Sequence, residues 1–218
     1  MIDLVIFDAD GVLVDSEEIA LAVLAQAARQ AGAQIELPEA LALFRGLKIA
    51  DCVTQIENRS GRPVGDGFID DVRHATALAF EADLRAVEGV HEALAAISIP
   101  VCVASNGPMS KLSQTLSLTG LQGRFEGRVF SAYEVGSWKP DPGLFLHAAR
   151  TLGADPSRCV VIEDSVTGVS AAKAAEMRVL GFTGGRADAG LELSQAGAQP
   201  FDRMAELPAL LASLSPSA

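Results

Sequence analysis

The sequence predicts an α/β fold: a doubly wound parallel sheet, interrupted early by an inserted block of helices. Three observations carry this. Short runs rich in β-branched residues at 4–7, 99–104 and 159–162 each end on polar residues and lead into a turn or helix start. Helical patterns alternate with strand-like runs through the second half of the chain. Between Asp15 and about Val87, apolar residues recur only at helical spacing.

The first strand, Leu4-Val5-Ile6-Phe7, is an unbroken apolar run of the kind buried on both faces of a parallel sheet, and it stops at Asp8-Ala9-Asp10-Gly11. In the insertion, Ile19, Ala20, Val23, Leu24, Ala27 and Ala28 recur at helical spacing, and further helices are expected over 39–43, 49–56 and 69–80. The insertion leaves from the loop that carries the two carboxylates, so a cap over the carboxyl edge of the sheet is expected. This divides the chain into a core, 1–14 with 88–218, and a cap, 15–87. The core continues with a helix over 90–97, the second strand ending at Ser105-Asn106-Gly107-Pro108, a helix over 109–119 and a weaker strand at 128–131. A helix over 142–152 follows, then the third strand ending at Glu163-Asp164, an Ala-rich helix to 176, a weaker strand at 179–182 and a helix over 205–214. Residues 213–218 read as a frayed end.

Charge excludes one class of partner. With 28 acidic and 17 basic residues the chain carries a formal −11, and no Lys/Arg block tracks a phosphate backbone, so nucleic acid is not expected as a partner. Cys52, Cys102 and Cys159 lie far apart without C-x-x-C spacing, as buried reduced thiols of a cytoplasmic protein do. The N-terminus meets Asp3 and Asp8 before any long apolar stretch, so neither a signal peptide nor a membrane span is expected.

Ligands of open α/β sheets bind beyond the carboxyl ends of the strands, where the polar tips converge if the strands are neighbours. Asp8 and Asp10 are two apart, so on an extended chain their side chains share a face. Carboxylates so close stay ionised only with a cation or hydrogen-bond donors beside them. Oxygen ligands of this kind suit Mg2+, with Asp164 as the natural third carboxylate. Taken alone, Asp-x-Asp-Gly reads more readily as a helix cap, and Asn106-Gly107-Pro108 as a turn.

Four segments taken together reverse that reading. Asp8-x-Asp10-Gly11-Val12-Leu13-x-Asp15-Ser16, then Ser105-Asn106, then Lys139-Pro140-Asp141-Pro142, then Val161-Ile162-Glu163-Asp164-Ser165-x-x-Gly168 resemble, in order, the motifs of the haloacid dehalogenase superfamily of aspartyl-dependent phosphohydrolases. The helical insertion resembles the small cap of its β-phosphoglucomutase-like and sugar-phosphate phosphatase branch. The resemblance implies Asp8 as nucleophile and Asp10 as general acid, then base. It implies Mg2+ on Asp8, the backbone carbonyl of Asp10 and Asp164, with Glu163 as a further or water-mediated ligand. Ser105 and amides near Asn106 would bind the phosphoryl oxygens, and Lys139 would supply positive charge. A cytoplasmic Mg2+-dependent phosphatase of a small sugar phosphate or sugar acid phosphate is expected, with no membrane and no obligate protein partner.

Departures within the family narrow the choice. Dehalogenating and phosphonate-cleaving relatives lack the second aspartate, which is present here as Asp10. In the β-phosphoglucomutase type a histidine follows Asp15 by five positions, where this chain has Ala20; a phosphomutase is therefore the second expectation. Phe44-Arg45-Gly46-Leu47-Lys48 falls where relatives carry a specificity loop, making Arg45 and Lys48 candidates for substrate binding. Ser105-Asn106-Gly107-Pro108-x-x-Lys111 and Trp138-Lys139-Pro140-Asp141-Pro142 look most like the bacterial phosphatase group that includes 6-phosphogluconate phosphatase.

Overall fold

The apolar runs form the centre of a six-stranded sheet in a computed structural model that describes residues 1–45 and 47–214. The strands are β1 (Leu4–Phe7), β2 (Val101–Ser105), β3 (Val129–Ser131), β4 (Cys159–Glu163), β5 (Arg178–Phe182) and β6 (Gln199–Phe201). All neighbours run parallel, in the order β3-β2-β1-β4-β5-β6. Register pairs Ile6 with Cys102 on one side of β1 and with Val161 on the other. The chain builds outward from β1 to β3, then restarts on the other side of β1 with β4. That reversal is the switch point at which open α/β sheets bind ligands.

The helices are α1 (Glu17–Gln30), α2 (Leu37–Phe44), α3 (Ile49–Ser60), α4 (Phe68–Asp83), α5 (Val90–Ala96), α6 (Met109–Leu118), α7 (Ala132–Val135), α8 (Gly143–Thr151), α9 (Val166–Ala174), α10 (Ala189–Gln195) and α11 (Leu207–Leu214). Every residue of β1 is buried, as expected for a strand covered on both faces. Leu4 and Ile6 pack with Cys102, Phe130 and Val161 against Leu144, Phe145 and Ala148 of α8 and Val169 and Ala172 of α9. By the alternation of the strand, Val5 and Phe7 point the other way, and Phe7 meets Phe125 edge-on with ring centroids 6.1 Å apart. Burying side chains of this size contributes about 1.5–3 kcal/mol each, so the strand that ends at Asp8 is firmly anchored.

The chain separates into two compact units, 1–14 with 85–218, and 15–84. The boundary falls at Leu84 rather than after Val87 because the returning chain already belongs to the sheet unit. Val14 bridges Ala86, and Val87 N–H donates to Leu13 O at 3.0 Å. The second unit is helical, α1 to α4, around Leu24, Ala28, Ile35, Phe44, Cys52, Ile56 and Val72.

Three short elements depart from the expected pattern. Strand β6 contains Pro200, which a sheet edge tolerates, and α10 is opened by Ala189-Gly190, neither a strong local signal. Helix α7 is a single turn whose N-cap, Ser131, accepts from Tyr133 N–H. Of the expected frayed end, Ser213 and Leu214 complete α11, and residues 215–218 lie outside the described residues. The three cysteines are free and buried. No helix among the described residues is long and apolar enough to cross a membrane.

Candidate active site

Four of the expected residues come from strand ends or just beyond them. Asp8 follows β1, its N–H donating to Ile162 O at 3.0 Å, so the β1–β4 ladder runs right up to the carboxylate. The chain then folds over itself: Leu13 and Val14 N–H donate to Ala9 O, and Gly11 N–H donates to Val14 O. Gly11 sits at φ +75°, a conformation glycine adopts freely, and a Cβ there would collide with the Asp164 carboxylate. Ser105 ends β2, Glu163 ends β4, and Asp164 follows it.

Lys139 joins them from the loop before α8. Its Nζ donates to Asp8 Oδ1 and to Glu163 Oε1, both at 2.6 Å, and lies 4.8 Å from the centroid of the Phe145 ring. Its backbone is fixed by Asn106, whose Oδ1 accepts from Lys139 N–H at 2.9 Å while Nδ2 donates to Lys139 O at 3.3 Å. Asn106 thus splices the β2 tip to the lysine loop. The Lys139–Pro140 peptide is cis. Ser105 Oγ accepts from Gly107 N–H at 3.1 Å, and Gly107 O accepts from Ser131 Oγ at 2.7 Å, which ties the β2 tip to β3.

Glu163 is fully engaged. Besides Lys139 on Oε1, its Oε2 accepts from Asp164 N–H, Ser165 N–H and Ser165 Oγ–H at 2.9–3.1 Å. Ser165 Oγ in turn accepts from Gly168 N–H and so caps α9. Gly168 is glycine for a steric reason, because a Cβ there would overlap the Glu163 carboxylate.

The electrostatics follow from this crowding. Burial pushes the Asp8 carboxyl up to about 7; Lys139 opposes that, while Glu163 and Asp10 add to it. For Lys139 burial works against the charge, but Asp8 and Glu163 outweigh it and hold the ammonium well above its ordinary value. One cation thus serves two buried carboxylates. Asp8, Glu163 and Asp164 each bring an oxygen within 4.8 Å of the others. Oxygen donors in this number, with more negative than positive charge around them, fit Mg2+.

Two basic residues reach the site that the motifs do not assign to it. Lys111, in the first turn of α6, places Nζ 2.8 Å from Asp10 Oδ2. Arg186 reaches Asp164, its Nη2 2.8 Å from the backbone O and 3.3 Å from Oδ2. Of the substrate-binding candidates, Asn106 lies at the β2 tip in the sheet unit, and Arg45 and Lys48 lie in the helical unit. Arg45 pairs with Glu17 at 2.7 Å, Lys48 is the exposed residue before α3, and Gly46 between them lies outside the described residues.

A family model for haloacid dehalogenase-like hydrolases matches residues 2–176. The chain belongs to that family. It is 32% identical over 182 residues to the 6-phosphogluconate phosphatase of Escherichia coli K12, covering 83% of this chain and 82% of that protein. It is 34% identical over 183 residues to hexitol phosphatase B of the same organism, covering 79% and 80%. A solved hydrolase of the family from Deinococcus radiodurans R1, with bound phosphate and sodium, superposes with a TM-score of 0.81 at 33% identity, covering 100% of this chain and 99% of that one. As a hydrolase of this family with phosphatase relatives along most of its length, the chain is an enzyme of the phosphatase type.

Proposed function

We propose that this hydrolase is a Mg2+-dependent phosphatase of a small phosphorylated sugar or sugar acid, working through an aspartyl phosphate on Asp8. The observation that carries the reading is Asp8 itself. It stands at the switch point of the sheet, paired with buried Lys139 and within electrostatic reach of Asp10. Asp8 attacks phosphorus, and the bond from phosphorus to the sugar oxygen breaks as Asp10 protonates that oxygen. Asp10 then takes a proton from water, which attacks the phosphoryl group and releases Asp8 and inorganic phosphate.

Lys139 favours the ionised form of Asp8 against its burial and faces the phosphoryl charge, and Glu163 keeps Lys139 in place. Ser105 already accepts from Gly107 N–H, so its O–H serves as donor to a phosphoryl oxygen, with backbone amides near Asn106 beside it. Lys111 orients Asp10. Asp8, Asp164 and the Asp10 carbonyl would hold the metal. Glu163, already accepting four hydrogen bonds, would serve as a further or water-mediated ligand. When bound, Mg2+ supplies the positive charge that lets a carboxylate approach a phosphate.

The relatives support a sugar acid or polyol phosphate as substrate, with Arg45 and Lys48 proposed to read its distal groups. Release of inorganic phosphate is the test, measured on 6-phosphogluconate, hexose phosphates, hexitol phosphates and a nucleotide, with Mg2+ or with EDTA. The reading expects metal-dependent release that peaks on one sugar-type substrate. Equal release with EDTA would remove the metal from it.

A further inference from the structure

We propose that Arg186 is a positioning residue for Asp164, carried there by a clip joining the tips of β5 and β6, and that this clip sets the affinity of the site for Mg2+. The inference rests on the reading of Asp164 as a metal ligand. Nothing in the motif pattern points to Arg186; the geometry does.

The Asp164 carboxylate is confined from two sides. On one lies the Cα of Gly11, so close that a Cβ could not be accommodated. On the other lies the Arg186 guanidinium, whose Nη2 holds both the Asp164 carbonyl and Oδ2, while Nε donates to Thr183 O at 3.1 Å. Asp164 is thereby fixed in backbone and rotamer by one planar group. A carboxylate so held does not have to be ordered when the metal arrives.

Arg186 is itself placed by a built turn. After β5 the chain passes through Gly184 at φ +58° and Gly185 at φ +78°. Asp202, just beyond β6, pins this turn: its Oδ1 accepts from Thr183 Oγ1 at 2.5 Å and from Gly185 N–H at 2.8 Å. Buried Thr183 also donates its N–H to Phe201 O at 2.9 Å. These bonds hold the Asp202 carboxyl below the ordinary carboxylate range. All of these residues belong to the sheet unit.

Two effects of Arg186 on a cation oppose each other. Its charge repels the metal, while its hydrogen bonds orient the ligand. Partners of ligating carboxylates typically contribute about 10–100-fold to metal affinity, which favours orientation. The sign of the change on substitution therefore decides between them.

The test is Mg2+ titration by calorimetry on the full chain: wild type, Arg186→Gln, Arg186→Lys, Asp202→Ala and Asp164→Asn, each checked for folding by circular dichroism. Arg186→Gln is expected to weaken Mg2+ about 10–100-fold, with kcat recovering at saturating Mg2+. Arg186→Lys should recover part of the affinity. Asp202→Ala, at an exposed residue, should shift affinity the same way by a smaller factor. Mg2+ affinity unchanged or tightened in Arg186→Gln, while Asp164→Asn loses binding, would overturn the inference and leave the metal site standing. A kcat deficit that saturating Mg2+ does not recover would also overturn it. Unaltered binding in Asp164→Asn would remove the metal reading itself.

Discussion

The Nζ of Lys139 lies 2.6 Å from both Asp8 and Glu163, and two carboxylates with so little water around them depend on that one cation. Replacing it with methionine, Lys139→Met, removes the cation from both carboxylates, leaving Glu163 only its donors on Oε2; breaking a buried pair in this way costs about 3–5 kcal/mol. Urea unfolding without metal is expected to show a loss of that order. Asp8→Asn keeps the size of the side chain and an oxygen that can accept from Lys139 but removes the proposed nucleophile, so turnover should vanish while the melting curve stays cooperative. Asp10→Asn should lower kcat about 10²–10⁴-fold on a sugar phosphate, and much less on an aryl phosphate whose leaving group needs no proton, which steady-state rates on the two substrates would reveal. Asp8, Asp10 and Asp164 were legible as carboxylates at strand ends, but their roles, and Lys139 altogether, were legible only through the resemblance of the four ordered segments to the family. No role for Lys111 or Arg186 was legible: Lys111 stood out only as part of the 105–111 segment and Arg186 not at all, and their partners lie 101 and 22 positions away, a relation that only the folded chain creates.

At the scale of elements, the strand tips are shaped by where glycine is required. Gly168 lies in α9, where alanine would ordinarily stabilise a helix by about 1 kcal/mol. Here the added methyl would enter the Glu163 carboxylate, which cannot retreat without surrendering Lys139 or its backbone donors. Gly168→Ala is therefore expected to destabilise, reversing the sign that helix propensity gives; thermal melting checks it. The strong strands and long helices were legible because buried parallel strands and amphipathic helices leave distinct periodicities. β6, α7 and α10 leave none, being only 3, 4 and 7 residues long and stabilised by their neighbours.

For the whole molecule, the sequence foretold strands but not their order, which follows from the pairing of β1 with both β2 and β4. That pairing makes Asp8 the meeting point of two half-sheets. A folded site that binds Mg2+ while the unfolded chain does not gains about 2.7 kcal/mol at a hundredfold excess over Kd. Mg2+ should accordingly raise the melting temperature, EDTA should reverse the shift, and Asp164→Asn should abolish it.

The most direct test is the fate of the phosphoryl group with a sugar phosphate, Mg2+ and either wild-type protein or Asp8→Asn. Release of inorganic phosphate by the wild type, accompanied by a trappable acyl phosphate and absent in Asp8→Asn, is the predicted result. Phosphate retained on the sugar and moved to another carbon, or release that persists in Asp8→Asn, would contradict it.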